Sequence, residues 1–204
     1  VDPRTGLRYT QTTTDADGGA GAVCGFDGFE GAMGMSGLGS IQRGSIEEIE
    51  IRYPWRTERY HFTPDFSGAG RWRGGSGMVW EIRNLGGDAR IATGSSDGDL
   101  TQPAGAAGGE PGPLSKMYIR RGDEVETVRT HRMIEVKTGE VLGKVSGGGG
   151  GVGAPFERDP EAVLQDVINN YVTIEAAEGV YGVAIDPTTN MIDEERTKRL
   201  RGIA

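Results

Sequence analysis

The sequence predicts an α+β chain: a β-rich body with glycine-rich loops, finished by two or three C-terminal helices. Three observations predict this. Apolar residues follow strand-like patterns between residues 46 and 145. Glycine clusters punctuate those segments, and the chain has 36 glycines in 204 residues, more than twice the usual share of about 7%. Beyond residue 158 the pattern turns helical, with capping residues at the expected places. Glycine serves where the backbone needs positive φ or a close approach. Clusters set between strand-like runs read as ordered turns rather than a disordered tract.

Residues 1–45 read as loops, with one short strand near residues 7–13. The glycines at 18, 19, 21, 28, 31, 34, 37 and 39 leave few aliphatic side chains for a core. This segment is therefore predicted to pack on a partner chain. Residues 46–153 form the predicted β-rich core. Ile46, Ile49 and Ile51 read as a first strand, Pro54 as its break and residues 57–62 as a second. Further strands are expected at 78–84, 89–93, 116–120, 124–132, 133–136 and 141–145. Loops occupy 64–75 and 94–115, and five consecutive glycines occupy 147–151.

Residues 154–204 form the helical segment. Asp159 is a good N-cap and Pro160 suits the first helical position. Val163, Val167 and Ile168 line one face of a helix ending near Asn169. Thr173 caps a short turn that Gly179 stops, residues 181–185 read as a strand, and Asp193 caps a last helix.

Composition excludes several functions. The net charge of −8 is the wrong sign for nucleic acid, whose phosphates want clustered Lys and Arg. A single cysteine, Cys24, rules out an internal disulfide. No apolar run approaches the roughly 18 residues of a membrane helix. No signal-peptide pattern opens the chain, so a cytoplasmic location is expected. The first residues, Val1-Asp2-Pro3-Arg4, read as mid-protein sequence.

Candidate sites are few. Gly147, Gly148, Gly149, Gly150 and Gly151 suggest a nest of amides for an anion. A phosphate loop, however, needs Gly-Lys-Ser/Thr opening a helix, and this one runs into Ala154-Pro155-Phe156. These five glycines are candidates for a structural or site-lining loop. Arg71 and Arg73 flank Trp72 after Asp65. Their forks could clamp a substrate carboxylate or phosphate, or pair with Asp65 to lock the turn. His61 and His131 belong to no metal-spaced set, so a metal site within the chain is not expected. Gly34-Met35-Ser36-Gly37 lacks the full spacing of a nucleophile elbow. Nothing selects a catalytic acid or base among the carboxylates.

Several blocks, in one order, resemble the hydantoinase B/acetone carboxylase family. They are Gly18-Gly19-Ala20-Gly21-Ala22 with Asp27-Gly28; Arg52-Tyr53-Pro54; and Ser67-Gly68-Ala69-Gly70-Arg71-Trp72-Arg73-Gly74-Gly75. Pro103 to Gly112 follows, then the glycines at 147–151 and Pro155-Phe156-Glu157-Arg158-Asp159-Pro160. Phe66 departs from the pattern, standing where the family runs Asp directly into Ser-Gly-Gly. The resemblance implies the C-terminal third of a hydantoinase B-type subunit. Such enzymes hydrolyse cyclic amides with ATP, or use ATP to activate a ketone for carboxylation. It further implies larger hydantoinase A-type and B-type partner chains in a hetero-oligomer. ATP and a divalent metal are then expected on those partners, with none bound wholly by this chain. The substrate would be a small carbonyl compound, with no nucleic acid and no membrane involved. Asp65, Arg71 and Arg73 become candidate anion contacts.

Overall fold

The computed structural model describes residues 1–11, 17–31, 45–93 and 98–202. Gly34, Gly37, Gly39 and the Met35-Ser36 pair lie outside the described residues. A five-stranded antiparallel sheet has the order β1-β2-β7-β4-β5: β1 Trp55–Phe62, β2 Met78–Asn84, β7 Val141–Val145, β4 Lys116–Arg121 and β5 Glu124–Val128. Its register sets Ile82 opposite Leu142, and Leu142 opposite Ile119. Alternation thus gives the sheet one apolar face. Trp55, Trp80, Ile82, Met117, Ile119 and Leu142 pack there with Val136. A second, two-stranded sheet of β3 (Ala89–Ala92) and β6 (Met133–Val136) contributes Ile91 and Ile134 to this core. Each such side chain, fully buried, contributes about 1.5–3 kcal/mol. Tyr9 joins the rim: its hydroxyl accepts from Trp55 Nε1 at 2.9 Å.

Residues 46–52 correct the strand reading. They form a helix, α1 (Ile46–Arg52). The Ile49/Ile51 alternation suggested a strand, but local chemistry favours the helix. The Ser45 hydroxyl accepts from Glu48 N at 3.3 Å, Glu47 and Glu48 occupy the first turn, and Arg52 the last. Glu48 and Arg52 also pair at 2.7 Å across one turn. Residues 7–11 form no strand. β5 stops at Val128, short of the predicted 132, because a bend follows in which His131 takes φ 55°. Of residues 181–185 only Ile185 is in a strand: β8 (Ile185–Asp186), paired with β9 (Met191–Ile192).

The C-terminal helices are capped as expected. Asp159 caps α2 (Pro160–Ile168), Thr173 caps α3 (Ile174–Gly179) and Asp193 caps α4 (Glu194–Arg201). They enclose a second core of Val163, Val172, Ala177, Tyr181, Val183 and Ile185, into which Ala69 projects from the loop after β1.

Between the two cores lies a bundle made almost wholly of backbone. Residues 147–153 run through its middle. Gly147 O accepts from Gly19 N (3.0 Å), Gly149 O from Gly68 N (2.8 Å), Gly150 O from Ala22 N (2.9 Å) and Gly151 O from Ala106 N (3.0 Å). The amides of Gly149 and Gly151 donate to Gly75 O and Glu110 O, each at 2.9 Å. The spacing leaves no room for side chains. A Cβ on Gly149 would lie 1.8 Å from Ala20 O, and one on Gly74 would lie 2.0 Å from Gly149 O. Within the N-terminal segment, residues 18–22 and 28 dock on the chain's own glycine segments.

Candidate functional site

Two buried arginines tie the bundle to the helical end. Arg158 immediately precedes the cap of α2, and Arg73 lies in the loop between β1 and β2. The Arg158 fork meets Asp27 with two bonds of 2.7 Å, and its Nε donates to Asp166 Oδ2 at 3.0 Å. Arg73 Nε reaches Asp166 Oδ1 at 3.3 Å, its Nη2 reaches Glu30 at 2.7 Å and its Nη1 reaches Gly74 O at 2.6 Å. Glu30 also accepts from Ser76 N. The Arg73 guanidinium stacks 4.8 Å from the Tyr171 ring centre. Asp166 is inside because α2 presents it on the same face as Val163, three residues earlier. The two guanidinium groups are 3–4% exposed, so neither charge is tolerable without its partners.

The charges tune one another. Burial opposes the Asp27 carboxylate, yet the bidentate Arg158 outweighs it and holds Asp27 below its ordinary range. Burial pushes the Asp166 carboxyl up, against the pull of Arg73 and Arg158. Burial likewise weakens both guanidinium charges, but the surrounding carboxylates win and raise them. Every charged donor here has an acceptor, and the arrangement works as a clasp joining residues 27–30, 73 and 158–166.

The sequence candidates do not form one site. Asp65 pairs with neither arginine. Its carboxylate accepts from Thr173 N at 2.8 Å and from the Thr173 hydroxyl at 2.6 Å, fixing the entry to α3. The turn-locking reading of an Asp65–arginine pair is thereby corrected: Asp65 has φ 55° and is committed to α3. Arg73 is in the clasp. Arg71 is about half exposed, 5.0 Å from the Trp72 ring centre and 3.8 Å from Glu157. Gly148, Gly149, Gly150 and Gly151 are buried inside the bundle. Because Gly149 and Gly151 give their amides to carbonyls, this loop does not fit a phosphate. Among the described residues no three His, Cys, Asp or Glu are grouped to hold a metal.

Sequence reasoning missed a second network, on the other face of the five-stranded sheet. Tyr118 donates to Glu81 at 2.6 Å, and Arg120 bridges Glu81 (3.1 Å) and Glu58 (3.0 Å). The Tyr118 ring occupies the space beside Gly143, where a Cβ would lie 2.3 Å from its ring carbons. Arg83, foremost among three arginines, holds Glu58 down to about 2. Burial and the Glu81 carboxylate push the Tyr118 hydroxyl up. The signal was present: Glu81 stands between Trp80 and Ile82, so it must face away from the core. Arg158 and Asp166 carried no such signal.

Comparison with known proteins places this architecture. The hydantoinase B/oxoprolinase family profile matches residues 1–155. The chain is 36% identical to the caprolactamase beta chain of Pseudomonas jessenii over 88% of its length, which is 31% of that protein. It is 32% identical to the B-type chain of a putative D-/L-hydantoinase of Pseudomonas sp. (strain NS671), over 87% of the chain and again 31% of the relative. Thus it spans about a third of the curated relatives it matches. The crystal structure of the ATP-dependent caprolactamase from P. jessenii overlays with a TM-score of 0.81 at 30% identity, covering 98% of this chain and 36% of that one. The nucleotide-free acetone carboxylase structure has the same fold, with a TM-score of 0.78 at 20% identity over 93% of this chain and 30% of that one. Among the described residues no helix is long and apolar enough to cross a membrane. The chain belongs to the hydantoinase B/oxoprolinase family.

Proposed function

We propose that this chain completes the hydantoinase B-type part of an ATP-dependent, multi-subunit enzyme that acts on an activated carbonyl. Hydrolysis of a cyclic amide is the favoured reaction and ketone carboxylation the alternative. The observation that carries the reading is the 36% identity to a caprolactamase beta chain along 88% of the sequence, supported by the hydantoinase relative. ATP and the divalent metal belong, on this reading, to partner regions of the A and B types. ATP supplies the activation, by phosphorylating the carbonyl oxygen. This chain supplies a scaffold that the clasp holds rigid. Arg71, about half exposed beside Trp72 and 3.8 Å from Glu157, is the candidate contact for an anionic group of a partner or substrate.

A purely structural role is the second reading, favoured by Arg73, whose donors are taken up by Asp166, Glu30 and Gly74. The test is native mass spectrometry of the protein isolated at low salt from its own cells, followed by assay of the complex. ATP-dependent opening of a lactam or hydantoin without incorporation of labelled bicarbonate is the expected result. Incorporation into a ketone makes it a carboxylase. A lone chain carrying either activity would sink the subunit reading. Arg71→Ala with unchanged turnover in the intact complex would favour the structural role.

A further inference from the structure

We propose that the apolar tip formed by Val23, Phe26 and Phe29 docks on the hydantoinase B-type region that makes up the other two thirds of the relatives' length. The proposal rests on the subunit reading above and names its contact surface. Val23, Phe26 and Phe29 are 58%, 72% and 81% exposed. Among the described residues no other stretch of seven carries three large apolar side chains so exposed. Val23 and Phe26 exchange both backbone hydrogen bonds, at 3.1 and 3.0 Å, so their side chains share one side of a tight hairpin. Gly25 closes that hairpin with φ 97°.

The tip cannot hide these rings by folding inward. Its base is fixed: Ala20 N donates to Phe29 O (2.9 Å), Gly28 N donates to Arg73 O (2.8 Å), and Asp27 is gripped by Arg158. Phe29 O also sits 2.0 Å from where a Gly75 Cβ would be, so nothing can slip between. A rigid base that presents two phenylalanines and a valine outward is the form of an interface anchor. The occupant follows from length. This chain overlays the caprolactamase structure across 98% of itself but covers only 36% of that chain, so most of a family member's chain lies outside these elements and must pack on them.

Cys24, the single cysteine, is exposed in the turn of the same hairpin and is the handle for the test. Full-length protein carrying a benzophenone maleimide on Cys24 is irradiated in extract of its own cells, and cross-linked peptides are sequenced. Peptides of the hydantoinase B-type region, on the same or another polypeptide, are expected. The Phe26→Ser/Phe29→Ser double variant should melt like the parent and be recovered in complex at least tenfold less. Cross-links only to a second copy or to an A-type chain overturn the proposal, as does full recovery of the double variant. In those cases the subunit reading survives. If the unaltered chain forms no complex with a B-type region, both readings fall.

Discussion

The five-stranded sheet and the glycine bundle solve the same packing problem in opposite ways. The sheet spaces its backbones through side chains, and Trp80, Ile82 and Leu142 fill the gap. The bundle removes the side chains and lets carbonyls and amides meet directly, as at Gly149, Gly74 and Gly28. Side-chain packing fails by degrees, because a shortened residue leaves a cavity that neighbours partly fill. Backbone packing has no soft component, since neither wall can turn a rotamer to make room.

Five substitutions and one titration would break or sharpen this contrast. Gly149→Ala should be the most damaging. Its methyl would fall 1.8 Å from Ala20 O and 2.3 Å from the carbonyl carbon, and we expect a loss above about 4 kcal/mol, seen as failure to recover folded chain. Arg158→Leu, which strips Asp27 and Asp166 of a shared partner, should cost about 3–5 kcal/mol in urea unfolding. Leu142→Ala, in the sheet, should cost about 2–5 kcal/mol and still give a cooperative transition. If Gly149→Ala proved milder than Leu142→Ala, the rigid-bundle account would be wrong.

The titration concerns the polar face of the sheet. Glu58 is depressed in the folded chain, from 4.5 to about 2. Its contribution is therefore present above about 4.5 and is lost as pH falls toward about 2. Melting temperature should drop across that window, and Glu58→Gln should flatten the drop. The smallest effect has the opposite sign. Gly179, with open space where a Cβ would go, should gain about 0.4–1 kcal/mol as alanine. A loss there on calorimetry would show that even this glycine is held by contacts.

Much of the regular structure was legible. β2, β6 and β7 run where alternation put them, and Asp159, Thr173 and Asp193 cap helices as their side chains suggest, because caps and alternation are local signals. α1 was misread, since two isoleucines with strand spacing masked a capped helical turn. Of the clasp only Arg73 was marked as a charge-pairing candidate, and its partners were not legible. Arg158 meets Asp27 across 131 positions, and no local spacing announces such a pair. The glycine bundle was half legible: its composition marked it as unusual, but only the register of hydrogen bonds shows that the glycines face one another.

The order of these segments along the chain sets a schedule for their assembly. The middle of the bundle, residues 147–153, leaves the ribosome after every segment it holds, and Arg158 later still. At roughly 10 residues per second, the segment around Asp27 waits on the order of ten seconds for its partner. Through that interval the Gly19 and Ala22 amides lack their Gly147 and Gly150 acceptors, and Asp27 lacks Arg158. The clasp and the bundle therefore close last, once the segment from Gly147 to Arg158 has been made, whatever the earlier strands have already formed.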